Sequence, residues 1–140
     1  MTDHTKQYDV FLSYSYQDRT WVSEFAEALN AAGVHNWFDV GQILPGENWQ
    51  DQLQEALREA EIMIIFLSED SVQSPNVLFE LGAAVAGEKK IIPIVIAQNE
   101  PHTMPAPVSQ LVYLRATSPT EAGKRVAEII EKTSLHGNED

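Results

Sequence analysis

One carboxylate, Glu80, lies within an otherwise apolar stretch and is the residue of this sequence most suited to chemistry. A fixed carboxylate can stabilise a developing positive charge or accept hydrogen bonds from hydroxyl groups. Most glutamates on helices are solvated. A chemical role for Glu80 therefore depends on where the rest of the chain places it.

The segment around Glu80 reads as the start of a helix. Ser74 can cap a free backbone N–H, and Pro75 suits the first helical position because proline needs no hydrogen-bond partner there. Gly82 and Ala83 are small enough to let a neighbouring element approach closely. The apolar residues at helical spacing are Val77, Leu78, Leu81 and Ala84. We expect them to form the buried face of this helix.

The composition argues against several other kinds of site. The chain has no cysteine, which excludes a disulfide framework and a thiolate metal site. Its four histidines lack ligand spacing, so we expect no metal: His4, His35, His102 and His136. Nine basic against twenty-one acidic residues give a net charge of −12, which repels nucleic-acid phosphates and anionic membranes.

Length and hydropathy predict one soluble domain over 1–140, with its core at about 7–134. The longest apolar runs, 62–67 and 91–97, are shorter than the ~20 residues that span a bilayer. The first six residues contain no signal-peptide hydrophobic region. We expect a cytoplasmic protein, with a secreted effector as the alternative.

Strand and helix patterns alternate five times along the chain. The predicted strands are 8–13, 34–38, 62–67, 91–97 and 111–114. The predicted helices follow them, the first ending at Gly33 and the others at about 47–60, 74–87 and 117–133. Pro93 is awkward inside a strand. The alternation predicts an α/β, flavodoxin-like three-layer sandwich, with a five-stranded parallel sheet of order 2-1-3-4-5 and helices on both faces.

That strand order would position Glu80. Its switch point lies between strands 1 and 3, and ligands of such sheets bind there, outside the carboxyl ends of the strands. The loops after Ser13 and Leu67 would line this crevice, with the loop after Phe38 nearby. The helix that carries Glu80 begins beside it.

Three stretches, in this order and spacing, resemble the Toll/interleukin-1 receptor (TIR) domain family over nearly the whole chain. Residues 8–15 (YDVFLSYS) resemble the first box of the family, with Asp18 following at the start of a helix. Residues 37–39 and 44–49 are similar to the second strand and the BB loop. Residues 74–80 resemble the segment in which enzymatic members place their glutamate.

The resemblance, closest to bacterial NAD⁺-cleaving members, implies that NAD⁺ is a substrate rather than a cofactor. Such members break the nicotinamide–ribose bond and release nicotinamide with ADP-ribose or a cyclised relative. Glu80 matches their glutamate. The leaving group is already cationic, so no general acid is needed, and an ionised glutamate of ordinary pKa ~4.3 would stabilise the charge on the ribose. One departure is Asn76, where the family often has tryptophan.

The resemblance also suggests substrate contacts around the crevice. Tyr14, Ser15 and Tyr16 are candidates for base stacking and diphosphate contact, aided by the next helix N-terminus. The remaining candidates are Arg19 as phosphate partner, Asp39 and Trp49 beside the substrate, and Asn76 on the nicotinamide side. Each has a structural alternative: exposed loop aromatics, a surface charge for Arg19, an Asx turn for Asp39 and a core anchor for Trp49. Trp21 and Trp37 are assigned to packing.

The BB loop suggests self-assembly. Apolar side chains at its tip would contact another copy of the protein, and a head-to-tail contact that does not close builds a filament. The assembly residues are Gly41, Ile43, Leu44, Pro45 and Gly46. A separate sensor protein is a further expected partner, as for a bacterial defence effector. The main alternative function is a non-catalytic TIR scaffold that signals through BB-loop contacts.

Overall fold

Five short parallel strands form one sheet in the computed structural model, which describes residues 10–37, 46 and 49–138, with the backbone alone for 49, 50 and 133–138. The strands are β1 Val10–Ser13, β2 Asn36–Trp37, β3 Ile62–Leu67, β4 Lys90–Ile96 and β5 Leu114–Ala116. Their order is β2-β1-β3-β4-β5, and every pairing is parallel. The predicted flavodoxin-like order is confirmed.

Helices cover both faces of the sheet. They are α1 Arg19–Ala31, α2 Trp49–Glu59, α3 Pro75–Ala86 and α4 Pro119–Asn138. One buried cluster joins α1 and α4 to Val10 and Leu12 of β1, and the other joins α2 and α3 to Phe11. This alternation along β1 produces the three predicted layers, and it explains why β3 is apolar throughout. None of the helices within 10–37 and 49–138 is both long and apolar enough to cross a bilayer.

Helices α1 and α4 approach each other closely at Gly123 of α4. A Cβ atom there would lie 2.6 Å from the Cβ atom of Ala28 and 2.8 Å from the carbonyl oxygen of Phe25, so α1 and α4 can approach only because this position is glycine. Close approach of a neighbouring element was expected at Gly82, and that expectation was wrong. A Cβ atom at Gly82 would meet nothing within 4 Å.

The fifth strand starts later than predicted. The backbone N–H of Leu111 bonds to the carbonyl of Val108, which keeps this segment in a turn, and pairing with β4 begins at Leu114. Three apolar side chains predicted in the strand are exposed, by 38–94%: Leu111, Val112 and Tyr113. Turn hydrogen bonding therefore overrides their strand propensity.

Proline begins both α3 and α4. Ser118 accepts a hydrogen bond from the backbone N–H of Glu121 at 3.1 Å, and Pro119 takes the first helical position. This start is two residues later than predicted, and the helix runs past the predicted end at 133. Pro93 is tolerated within β4 because pairing with β5 begins only at Ile94.

Candidate active site

Glu80 lies in the second turn of α3, whose start is fixed as the sequence predicts. Ser74 Oγ accepts a hydrogen bond from Val77 N at 3.3 Å, and Pro75 is the first helical residue. Val77, Leu81 and Ala84 are buried, whereas the predicted core residue Leu78 is 41% exposed. Leu78 is about 100° around the helix from Val77, outside the stripe that faces the sheet.

A cavity of about 470 Å³ opens beside Glu80 at the carboxyl end of β1, where a switch point between β1 and β3 was expected. Its walls come from β1 and the loop that follows it, from β2 and α2, and from the start of α3 with the loop before it. The lining residues are Phe11, Leu12, Tyr14, Ser15, Tyr16, Gln17, Trp37, Leu53, Asp70, Ser74, Asn76, Phe79 and Glu80. This volume is within the range of small-molecule sites.

Ser13 holds the carboxylate of Glu80. The Ser13 hydroxyl donates a hydrogen bond of 2.7 Å to Glu80 Oε1. Ser13 ends β1 and has no exposed surface, and Glu80 is itself partly buried. Burial raises the pKa of Glu80 to about 7, although the Ser13 hydrogen bond acts to lower it. The expectation of an ordinary glutamate pKa was therefore wrong, since a pKa of about 7 leaves this carboxyl group partly protonated at neutral pH.

A second buried pair joins the two loops around the cavity. Ser68 follows β3, and its hydroxyl donates a hydrogen bond of 2.5 Å to Asp18 Oδ2, just before α1. Burial raises the pKa of Asp18, the Ser68 hydrogen bond lowers it, and nearby Asp70 raises it. Ser71 completes the cluster by accepting from Ser68 N at 2.9 Å. These bonds fix the loop after β1 relative to the loop after β3.

Four predicted substrate contacts line the cavity with Glu80: Tyr14, Ser15, Tyr16 and Asn76. The Ser15 hydroxyl donates to Gln17 Oε1 at 2.6 Å rather than to Glu80. Arg19 is the first residue of α1 and is outside the set of described residues that line the cavity. Asp39 and the side chain of Trp49 lie outside the described residues. Which of these residues contact substrate stays a prediction.

Both tryptophans assigned to packing contact the hydrophobic core, Trp21 as a partly buried residue and Trp37 as a buried one. Trp21 stacks on Phe25 with ring centroids 6.4 Å apart and meets Phe66 edge-on at 6.1 Å. Trp37 is 4% exposed, and it also contributes to the cavity wall.

The BB-loop residues Gly41, Ile43, Leu44 and Pro45 lie outside the described residues. Gly46 is described: it is exposed and lies in a turn. Its φ of +92° is in the left-handed region, which glycine adopts without a steric penalty. Their role in assembly stays a prediction.

Two site residues were missed from the sequence. Ser13 was treated only as the end of a strand, although a hydroxyl at the carboxyl end of a switch-point strand is itself a signal. Phe79 was overlooked because it lies outside the spaced apolar set on α3. It is 62% exposed and lines the cavity, as does Tyr16, which is 76% exposed. Exposed aromatic side chains thus line the cavity both from the segment after β1 and from α3.

Known proteins resemble this chain in sequence. The family model for the TIR domain matches residues 10–130. The 2′ cyclic ADP-D-ribose synthase AbTIR of Acinetobacter baumannii is 30% identical over 93 residues, which are 63% of this chain and 35% of that protein. The NAD(+) hydrolase TcpA of a Theionarchaea archaeon is 29% identical over 97 residues, 66% of this chain and 30% of that protein. The chain therefore spans about a third of the length of these relatives.

Among solved structures, the TIR domain of the Toll-related receptor TRR-2 from Hydra magnipapillata superposes with a TM-score of 0.68. The two sequences are 21% identical, and the match covers 95% of this chain and 99% of that one. At this identity the likeness concerns the fold.

Proposed function

Because the chain belongs to the TIR domain family, we propose that it is an NAD⁺ glycohydrolase with Glu80 as its catalytic carboxylate. One observation carries the proposal. Glu80 is a partly buried carboxylate, oriented by Ser13, in a cavity at the carboxyl edge of the sheet. Relatives named as an NAD(+) hydrolase and as a cyclic ADP-D-ribose synthase support the substrate class.

The proposed reaction breaks the bond between ribose C1′ and the nicotinamide nitrogen. The bonding electrons leave with nicotinamide, which becomes neutral, and positive charge develops on the ribose. An ionised Glu80 stabilises that charge. A charge pair ~4 Å apart contributes about 4 kcal/mol at an effective dielectric near 20, which is roughly a thousandfold in rate. Water then adds at C1′ and loses a proton, giving ADP-ribose.

Cyclisation is the second outcome of the same step, and the name of the Acinetobacter relative favours testing for it. A nucleophile within the ADP-ribose part would replace water at C1′. Both products require the same carboxylate, so product analysis separates them without changing the site assignment.

The aromatic side chains are the proposed ring contacts. Phe79 and Tyr16 are both exposed at the cavity, where their faces are open to a planar ligand. We assign to Phe79 the nicotinamide contact that was expected of position 76, since Phe79 lines the cavity and Asn76 has no aromatic face. Stacking of a planar base on an aromatic ring is favourable whatever the identity of the base.

Self-assembly is proposed to regulate the activity, and its support is the sequence of the BB loop. Ile43, Leu44 and Pro45 would contact a neighbouring copy. We therefore expect the specific activity to rise with protein concentration or with an activating partner. Rates strictly proportional to enzyme concentration would contradict this part of the proposal.

The deciding experiment is incubation of the purified protein with NAD⁺, at low and high protein concentration and with a crowding agent. Nicotinamide and ADP-ribose products are separated by liquid chromatography. We expect release by the wild type, loss with Glu80→Gln, and retention with Glu128→Gln, which changes an exposed glutamate of α4. Absence of turnover under every condition would favour the scaffold function. Turnover that survives Glu80→Gln would refute the site assignment.

A further inference from the structure

We propose that Ser13 is a positioning residue for Glu80. The hydroxyl of Ser13 fixes the Oε1 atom of the Glu80 carboxylate and favours the ionised form of that carboxylate. The importance of this contact for catalysis rests on the proposed function. The contact between the two side chains stands independently of it.

Both partners are held by separate, rigid elements. Ser13 is the last residue of β1 and pairs in register with Ile65 of β3, so its backbone is fixed within the sheet. Glu80 is fixed through α3, whose start is capped by Ser74. A hydrogen bond between two such elements restricts the carboxylate to one orientation. Among the described residues, Ser13 is the one hydrogen-bond partner of the Glu80 side chain, and Glu80 lines the cavity.

The chemistry of the pair favours the charged carboxylate. Burial penalises the ionised form and is the largest influence on Glu80, whereas the Ser13 hydrogen bond opposes it. A hydroxyl donates more strongly to a carboxylate than to a neutral carboxyl group, so the ionised form gains most from the contact. Removing this donor should therefore raise the pH at which Glu80 ionises.

Ser13 is unsuited to a direct catalytic role. Its relative exposure is 0%, so its oxygen cannot meet a ligand in the cavity. Ser15 is in the same loop region and lines the cavity, but its hydroxyl donates to Gln17. The structure thus separates a serine that orients the carboxylate from one that faces the ligand space.

The test compares Ser13→Ala with Ser13→Thr, which retains the hydroxyl, and with Ser109→Ala, which removes an exposed hydroxyl bonded to the carbonyl of Ala106 and outside the set of described residues that line the cavity. Two readouts are used: the pH dependence of kcat/KM for NAD⁺, and the titration of the Glu80 carboxyl carbon by NMR, assigned with Glu80→Gln. Circular dichroism verifies that each variant is folded.

For Ser13→Ala we expect the midpoint of both titrations to rise by about one pH unit. The ionised fraction at pH 7 would then fall from about one half to about one tenth, so kcat/KM would fall about fivefold and recover above pH 9. Ser13→Thr should restore the midpoint, and Ser109→Ala should leave it unchanged. Recovery at high pH is a result that a general loss of packing would not give.

An unchanged midpoint in folded Ser13→Ala would overturn the proposal. Should the alanine variant fail to fold, Ser13→Cys provides the same test, because a thiol is a much weaker donor and should also raise the midpoint. The NMR titration needs no turnover. A wild type that does not cleave NAD⁺ would refute the proposed function, while the role of Ser13 would still be decided by the carboxyl titration.

Discussion

The hydroxyl of Ser68 donates a buried hydrogen bond of 2.5 Å to Asp18 Oδ2, and this bond connects two loops that both contribute to the cavity. Ser68 is fully buried and Asp18 is 8% exposed, so neither group can exchange its partner for bulk water. An acidic group this deeply buried depends on its donor. The integrity of the cavity walls therefore depends on this pair.

Ser68→Ala should lower the free energy of unfolding by about 1–3 kcal/mol, because it leaves a buried acidic group without its donor. The hydroxyl of Ser68 stabilises the ionised form of Asp18 and lowers its pKa, so the loss should be larger at pH 8 than at pH 4. Urea unfolding at both values measures it. Ser109→Ala, which changes an exposed hydroxyl bonded to the carbonyl of Ala106, is the control and should change stability by less than about 0.5 kcal/mol.

Activity should increase with pH through neutrality. Glu80 must be ionised to stabilise a cationic ribose, and burial raises its pKa to about 7. We expect kcat/KM at pH 8 to exceed the value at pH 6 by close to tenfold, as follows from the ionised fractions at these two values. A profile that is flat between pH 5.5 and 8 would contradict the assignment of Glu80.

Glu80→Gln should stabilise the fold, and more so at high pH. The folded-state pKa of about 7 lies above the ordinary value of 4.5, so the stability that Glu80 contributes is present below about pH 4.5 and is lost as the pH rises through 7. Replacing the acid removes a cost of about 3 kcal/mol at pH 8 and of under about 1 kcal/mol at pH 5. Thermal unfolding at the two pH values measures the difference. An equal effect at both would show that Glu80 ionises normally.

Phe79→Ala should weaken substrate binding more than catalysis. Loss of a stacking face costs about 1–3 kcal/mol, so KM for NAD⁺ should rise roughly tenfold while kcat changes little. Phe79→Tyr retains the ring and should behave as wild type. Leu78→Ala is the matched control, since Leu78 is a neighbouring exposed residue of α3 outside the set that lines the cavity. Equal effects of the alanine variants at positions 78 and 79 would exclude a specific ring contact.

Gly123→Ala and Gly82→Ala should have opposite effects on stability. A methyl group at position 123 would overlap Ala28 and the backbone of Phe25, which should cost about 1–3 kcal/mol. At position 82 a methyl group meets nothing within 4 Å, and alanine is favoured over glycine inside a helix by roughly 0.5–1 kcal/mol. Chemical denaturation of both variants tests the contact between α1 and α4.

The order of the sheet could be predicted because strand and helix patterns alternate, and because parallel strands need crossover connections. The start of α3 could be predicted for a local reason: Ser74 and Pro75 act within one helical turn. The start of β5 could not, since it depends on where Leu114 meets β4 and on a backbone hydrogen bond of Leu111. The apolar residues at 111–113 were therefore predicted to be part of the strand, although they are exposed.

The candidate site was only partly predictable from sequence. Glu80 was found because a carboxylate in an apolar run is unusual and because its segment resembles a known motif. Its pKa could not be predicted, because desolvation depends on what surrounds the folded side chain. Ser13 was missed for a related reason: its partner is 67 positions away along the chain.

The hydrogen bonds from Ser13 to Glu80 and from Ser68 to Asp18 join residues 67 and 50 positions apart, across the pairing of β1 with β3. Contacts of such high sequence separation form late, because loop closure must precede them. Residues 10–73 alone contain neither Glu80 nor the wall that α3 provides. The carboxylate therefore reaches its Ser13 donor only once α3 has packed against β1 and β3, so the site and this packing form together.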